Sequence, residues 1–139
     1  MFKMYNTVRM YDTDAAGILY FGAQFRFAHD AFEALMAIEG FTFQQLFEQE
    51  PFIFVIVHAE SDYKYTLHVG DVIEAETEVA NIGATSFAIS YRFFKETLEG
   101  RVLAGTSKTV HVCIDKETRT KRLLDPRYVA MLAKHHYGD

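Results

Sequence analysis

The sequence predicts an α+β fold in which an antiparallel sheet curls around one long central helix. Three observations predict it. A helical stretch from about residue 22 to 39 is apolar over most of its circumference, so it needs cover on several sides. Four strand-like segments follow it, joined by tight connections. One strand precedes it, and this order suits an antiparallel sheet with a segregated helix. The 139 residues fit a single domain, 1–139. Half of them are hydrophobic and 13 are Phe, enough to build a core.

The elements follow in order. Residues 2–10 alternate loosely and read as the first strand. Tyr11 to Tyr20 contains Asp12-Thr13-Asp14-Ala15-Ala16-Gly17 and reads as a loop. In the helix, Phe25, Ala28, Phe32, Leu35 and Met36 form one stripe, and Phe27, Ala31, Ala34 and Ile38 an adjacent one. Only Arg26, Asp30 and Glu33 make a clear polar edge. Gly40 ends the helix in the usual C′ position. Phe43 to Glu48 suits a short extra turn. Phe52 to Val57 is continuously apolar, which predicts a central strand, and it runs on with more polar character to Tyr63.

After a turn near Gly70-Asp71, Ile73, Ala75, Thr77 and Val79 alternate with Glu74, Glu76 and Glu78, a half-exposed strand. Gly83 starts a turn. Phe87, Ile89, Tyr91 and Phe93 then alternate with Ala88, Ser90 and Arg92. Val102 to Ile114 reads as a long final strand and Asp125 to His135 as a C-terminal helix. Pro51 and Pro126 fall at element boundaries, as their missing N–H requires.

Composition narrows the function. A net charge of −5 argues against nonspecific nucleic-acid binding but allows a small anionic ligand on a local basic patch. No apolar run reaches the roughly 18 to 20 residues of a membrane span, and Met1-Phe2-Lys3-Met4-Tyr5-Asn6 lacks a secretory core. These features predict a cytoplasmic protein with neither nucleic-acid nor membrane partners. The one cysteine, Cys113, reads as a small buried hydrophobe in a reducing compartment. A catalytic thiol stays open, because His111 shares its strand face. The six histidines lack metal-ligand spacing, so neither metal nor cofactor is expected.

The stretch Tyr11-Asp12-Thr13-Asp14-Ala15-Ala16-Gly17-Ile18-Leu19-Tyr20-Phe21 resembles the signature of 4-hydroxybenzoyl-CoA thioesterase-like hotdog proteins. That signature is Asp-x-Asp-x-x-Gly-[Ile/Val]-Val-[Tyr/Trp/Phe] ahead of a long helix. Val57-His58-Ala59 with Asp62, Gly70-Asp71, Gly83-Ala84-Thr85-Ser86-Phe87 and Thr109-Val110-His111-Val112 extend the similarity over roughly the first 115 to 120 residues. The resemblance implies a hotdog acyl-CoA thioesterase with Asp14 as the catalytic carboxylate and the backbone amide of Phe21 as oxyanion donor. Asp12 would structure the loop. The chemistry agrees. No Gly-x-Ser-x-Gly elbow offers a serine. A carboxylate can attack a thioester or activate water, and the unpaired N–H groups that open a helix can hold the oxyanion.

Around this centre, Tyr20 and Phe25 suit a ring or other hydrophobic acyl group. His29, on the helix stripe, reads as a structural residue or a substrate contact. The resemblance also implies that His58 lines the site and that the loop bearing Thr85 and Ser86 contributes to the CoA groove. Lys64, Lys108 or Arg119-Thr120-Lys121-Arg122 would supply positive charge. Tyr65-Thr66 stands where many relatives have Ala-Pro. Glu33 is a solvated helix residue or a helix glutamate of the kind some hotdog thioesterases use. The implied assembly is a homodimer joined edge to edge, or a homotetramer built from two, with the site at the interface. An acyl-CoA or acyl-carrier-protein thioester is the expected substrate, with 1,4-dihydroxy-2-naphthoyl-CoA as one specific option. The rivals are an enoyl-CoA hydratase, whose local Asp and His motif is not found here, and a noncatalytic acyl-thioester-binding protein.

Overall fold

The helical stripes do form a helix, and the later alternating segments wrap a sheet against it. In the computed structural model, which describes residues 1–137, the elements are β1 (Phe2–Thr7), α1 (Ala23–Ile38), α2 (Phe43–Gln49), β2 (Phe52–Tyr63), β3 (Val72–Ile82), β4 (Ser86–Thr97), β5 (Gly100–Asp115) and α3 (Pro126–Ala133). A single 3-10 turn, Met10–Asp12, takes the place expected for the end of the first strand. Phe27, Ala28, Ala31, Phe32 and Met36 of α1 share one core with Ile73, Val79, Phe87, Ile89 and Phe93, and Leu35 is buried as well. Each large side chain so enclosed stabilises the fold by roughly 1.5–3 kcal/mol. The cover is incomplete. Ile38, expected in a buried stripe, is 70% exposed, and His29 and Glu33 lie on an open ridge.

All neighbouring strands are antiparallel, in the order β1-β3-β4-β5-β2. This corrects the expectation that Phe52 to Val57 is central. The run opens β2, an edge strand paired only with β5. Phe52 and Phe54 point into the core, where both meet Tyr128 of α3 edge-on. Ile56 and Val57 are 47% and 61% exposed. The run is apolar on both faces, but one chain covers only the inner face.

The register of β2 slips between Ile56 and His58, where Val57 forms a bulge against β5. The slip shifts the alternation of the strand. Strict period two from Phe52 would turn His58 inward. Instead Ser61 faces in, hydrogen-bonded to Ser107, and His58 faces out opposite Val110.

The link from β2 to β3 crosses from one side of the sheet to the other beneath the start of α1. The N–H groups of Lys64 and Tyr65 donate to the Ala104 carbonyl at 2.9 and 3.1 Å. Leu19 N–H donates to Leu67 O at 2.9 Å, and Gly70 N–H to Val8 O at 2.8 Å. The crossing is therefore laced to the loop before α1. At the far end, Asp125 caps α3 by accepting from Arg127 N–H at 2.8 Å, with Pro126 in the first turn. No helix among the described residues is long and apolar enough to cross a membrane.

Candidate active site

The loop ahead of α1 is a tight turn whose ends pair. Thr13 bridges to Leu19, Asp14 N–H donates to Ile18 O at 3.0 Å and Gly17 N–H to Asp14 O at 3.0 Å. Gly17 closes it at φ +79°, a conformation that costs other residues. Asp14 Oδ1 accepts from Ala16 N–H at 2.9 Å, an Asx turn that orients the carboxylate while its second oxygen has no hydrogen-bond partner among the described residues.

Asp12 has the opposite environment. It is buried, and both its oxygens accept from Arg26 of α1 at 2.9 Å. Arg9 N–H donates to Oδ2 at 2.9 Å, and the Asp12 carbonyl accepts from Tyr20 N–H at 2.7 Å. Arg26 reaches on to Asp30 at 3.0 Å. Asp12 thus fastens the loop to the helix, and Asp14, two residues on, is left exposed.

The chain enters α1 without a side-chain cap. Ala23 N–H donates to Tyr20 O at 2.9 Å, but the N–H groups of Phe21 and Gly22 have no acceptor among the described residues. A Cβ at Gly22 would lie 2.7 Å from the ring of the exposed Tyr20, which would have to turn aside. The Phe21 carbonyl accepts from the Tyr63 hydroxyl. Gln24, fully buried, sets its Nε2 among Ser61 Oγ, Asp62 O and Thr106 O at 3.3, 3.1 and 3.2 Å. Gly105 leaves room for that carboxamide, since a Cβ would sit 2.5 Å from Gln24 Oε1. Tyr63 and Gln24 together tie the helix entrance to β2 and β5.

Asp14, Phe21, Gln24, Tyr63 and the crossing residues Lys64 to Leu67 border one cavity of about 410 Å³. Sequence reasoning missed Tyr63 and Gln24. Tyr63 owes its position to the Val57 bulge and to strand register, and Gln24, in the first turn of α1, meets its partners Ser61, Asp62 and Thr106 only through the fold, so no local pattern announces either. Lys64 is exposed there and enters no ion pair among the described residues.

The other expected site residues are dispersed. Tyr20 packs on the Phe21 ring at 4.6 Å, outside the cavity, and Phe25 is half-buried and borders neither cavity. His29 and Glu33 border a second cavity of about 390 Å³ between α1, α2 and β2. His58 stands on the outer sheet face, 3.4 Å from Glu60, because the bulge turns it away from the helix. The expected lining role for His58 does not match that placement. Thr85 and Ser86 lie in the β3–β4 hairpin, where Ser86 pairs with Val112 while Tyr63 pairs with Gly105. Seven residues of β5 separate those partners, roughly 23 Å at the strand rise. Within one chain the two hydroxyls are therefore remote from Asp14. Lys108 is on the outer face, and Arg122 engages Asp115 at 3.0 Å.

Cys113 is sealed in the core, and burial pushes its thiol up to about 11. So little thiolate removes the catalytic-thiol reading. Among the described residues no group of three His, Cys, Asp or Glu could hold a metal.

A reachable carboxylate and a residue with an unpaired backbone donor, Asp14 and Phe21, border one cavity, and such a set can serve acyl transfer, with the acid attacking or activating water and the amide taking the oxyanion. Comparison with known proteins points the same way. The family model of the thioesterase-like superfamily matches residues 8–132. The chain is 33% identical over 134 residues to the 1,4-dihydroxy-2-naphthoyl-CoA hydrolase of Gloeothece citriformis, covering 96% of this chain and 93% of that one. It is 32% identical over 127 residues to the hydrolase of the same name from Synechococcus elongatus, covering 91% and 90%. A crystal structure of a 1,4-dihydroxy-2-naphthoyl-CoA thioesterase from Synechocystis superposes with a TM-score of 0.87 at 26% identity, over 95% of each chain.

Proposed function

The chain belongs to the thioesterase-like superfamily, and from that premise we propose that it hydrolyses 1,4-dihydroxy-2-naphthoyl-CoA or a closely similar aromatic acyl-CoA, using Asp14. Its action on an acyl-CoA thioester accords with relatives similar over nearly the whole chain. The single observation that carries the site is that Asp14 and Phe21, whose N–H has no acceptor among the described residues, border one cavity.

In the proposed reaction the thioester carbonyl oxygen points at the N–H groups of Phe21 and Gly22. The unbonded oxygen of Asp14 attacks the carbonyl carbon, or takes a proton from the water that does. The C–S bond breaks, CoA leaves as a thiolate that is then protonated, and the carboxylic acid remains. One well-aimed oxyanion donor is worth roughly 3–4 kcal/mol in the transition state. Lys64, with no charged partner among the described residues, suits a CoA phosphate at the rim.

The proposed assembly is a homodimer joined through β2. Its free edge is 12 residues long, and Ile56 and Val57 stand exposed along it, whereas β1, the opposite edge, has six residues. A long apolar edge is a liability unless something covers it. Antiparallel pairing of two copies of β2 would also bring the Asp14 cavity of one protomer toward the second cavity of the other. The lone buried Cys113 accords with action in the cytoplasm.

The test is release of free thiol from 1,4-dihydroxy-2-naphthoyl-CoA and from aliphatic acyl-CoAs, by the wild type and by Asp14→Asn. We expect the aromatic substrate to be preferred and the variant to lose at least about 100-fold. Hydration of an enoyl-CoA without thiol release would favour a hydratase. Binding without any turnover would favour a noncatalytic acyl-thioester binder.

A further inference from the structure

We propose that the second cavity is a binding subsite for an aromatic ring bearing an oxygen acceptor, and that His111 selects it through a fixed Nδ1–H donor. The walls are Phe32, Phe43, Phe47 and Phe54, with His29 and Glu33 at the mouth. At about 390 Å³ it falls in the size range of small-molecule pockets. One polar ring is set into this aromatic wall. His111 is 2% exposed, stacks on Phe87 at 4.9 Å and 6°, and lies 4.4 Å from the Phe32 ring.

Its tautomer follows from a buried relay. Tyr91 Oη lies 3.1 Å from Thr109 Oγ1, and Thr109 Oγ1 lies 2.8 Å from His111 Nε2. Tyr91 and Thr109 are both buried. The Tyr91 hydroxyl has no other partner among the described residues, so its proton goes to Thr109. Thr109 has one proton of its own, which then goes to Nε2. A neutral imidazole accepting at Nε2 carries its hydrogen on Nδ1. The reverse direction strands a hydroxyl hydrogen, of Tyr91 or of Thr109, in the core, which costs a desolvation penalty. The ring is neutral at physiological pH because burial, followed by the charge of His29, pulls its pKa down to about 4. Nδ1 makes no hydrogen bond among the described residues, and it is not among the sealed, unpartnered atoms.

A fixed neutral donor in an aromatic wall donates to a carbonyl, hydroxyl or phenolate oxygen on a ring. A bare hydrocarbon ring leaves the N–H unpaired, and sites built around a hydrogen bond discriminate on that basis. This deepens the thioesterase reading by naming its acyl group and rests on that reading only for the ligand's role as substrate. The binding itself does not depend on it.

The test uses the whole chain and two stable acids, 1-hydroxy-2-naphthoate and 2-naphthoate, titrated calorimetrically. The wild type should bind the hydroxylated acid at least about tenfold more tightly. His111→Phe keeps a ring and deletes the donor. It should bring the hydroxylated acid down to the level of 2-naphthoate and leave 2-naphthoate unchanged. His111→Asn, which returns an N–H near Nδ1, should restore part of the preference. Nitrogen-15 NMR of the wild type should show the hydrogen on Nδ1, a reading independent of whether any variant folds. Equal affinity of the wild type for the two acids, or a hydrogen on Nε2, would overturn the proposal. Asp14→Asn separates the two readings, since it should keep the preference for the hydroxylated acid over 2-naphthoate even if the affinity for both acids shifts together. If it also keeps full turnover, the catalytic assignment fails while the ring site stands.

Discussion

The two cavities are built in opposite ways. At the Asp14 cavity the candidate reacting group is an exposed side chain on a turn, and its proposed partners are backbone amides. At the second cavity the polar element is a chain of three buried side chains, and no backbone donor is involved. The contrast fits the division proposed for them. A group that must meet a carbonyl has to be reachable, and loop geometry and helix ends can set it. A group that reads a ring has to be dry and fixed, so it is set by core packing and strand register. The first arrangement tolerates changes of side chain around it. The second tolerates few.

The largest effect expected from breaking one side of this contrast is at Asp12. Asp12→Ala takes one of the two carboxylate partners from Arg26, leaving Asp30, and removes the anchor of the Asp14 loop. Loss of roughly 3 kcal/mol of stability is expected in urea denaturation, the low end for a broken buried pair because Arg26 can rehydrate. In the fraction that stays folded, turnover should fall while 1-hydroxy-2-naphthoate binding persists.

Acid should strain the other side. His111 titrates near 6.5 when unfolded and about 4 when folded. Between those values the unfolded chain takes a proton that the native ring refuses. The stability it preserves is therefore complete above about pH 6.5 and is lost as the pH falls toward 4, by roughly 3 kcal/mol in all. His111→Phe should flatten that part of the pH profile relative to the wild type. An unchanged difference between pH 7 and pH 5 would mean that the ring is not held neutral in the core.

Smaller effects sharpen the catalytic side. Gly105→Ala pushes a methyl against the Gln24 carboxamide and the Asp62 carbonyl, 2.5 and 2.7 Å from its Cβ. A cost of about 1–3 kcal/mol is expected from thermal unfolding, with the helix entrance displaced. Tyr63→Phe removes only the hydroxyl that holds the Phe21 carbonyl. It should lower kcat about tenfold, roughly 1.4 kcal/mol, with KM and melting temperature nearly unchanged. Equal losses in KM and stability would mark Tyr63 as packing alone.

Much of this was legible in the sequence. The long helix follows from its stripes, and the loop follows from two aspartates and a glycine at fixed spacing ahead of it. The edge position of β2 was not legible, because an apolar run says that both faces want cover and not what covers them. The Val57 bulge has no glycine or proline to announce it, so period two assigns His58 to the inner face that Tyr63 in fact shares. The relay was invisible because Tyr91 comes from one strand and Thr109 and His111 from the next, and only register joins them. Thr85 and Ser86 rested on resemblance, and one chain puts them at the other end of the sheet from Asp14.

The most direct measurement is single-turnover thiol release from 1,4-dihydroxy-2-naphthoyl-CoA by Asp14→Asn, with folding and 1-hydroxy-2-naphthoate binding checked on the same sample. The prediction is an intact fold, retained binding of the acid and a rate at least about 100-fold below the wild type. An undiminished rate from that folded, ligand-competent variant would contradict the assignment of the chemistry to Asp14.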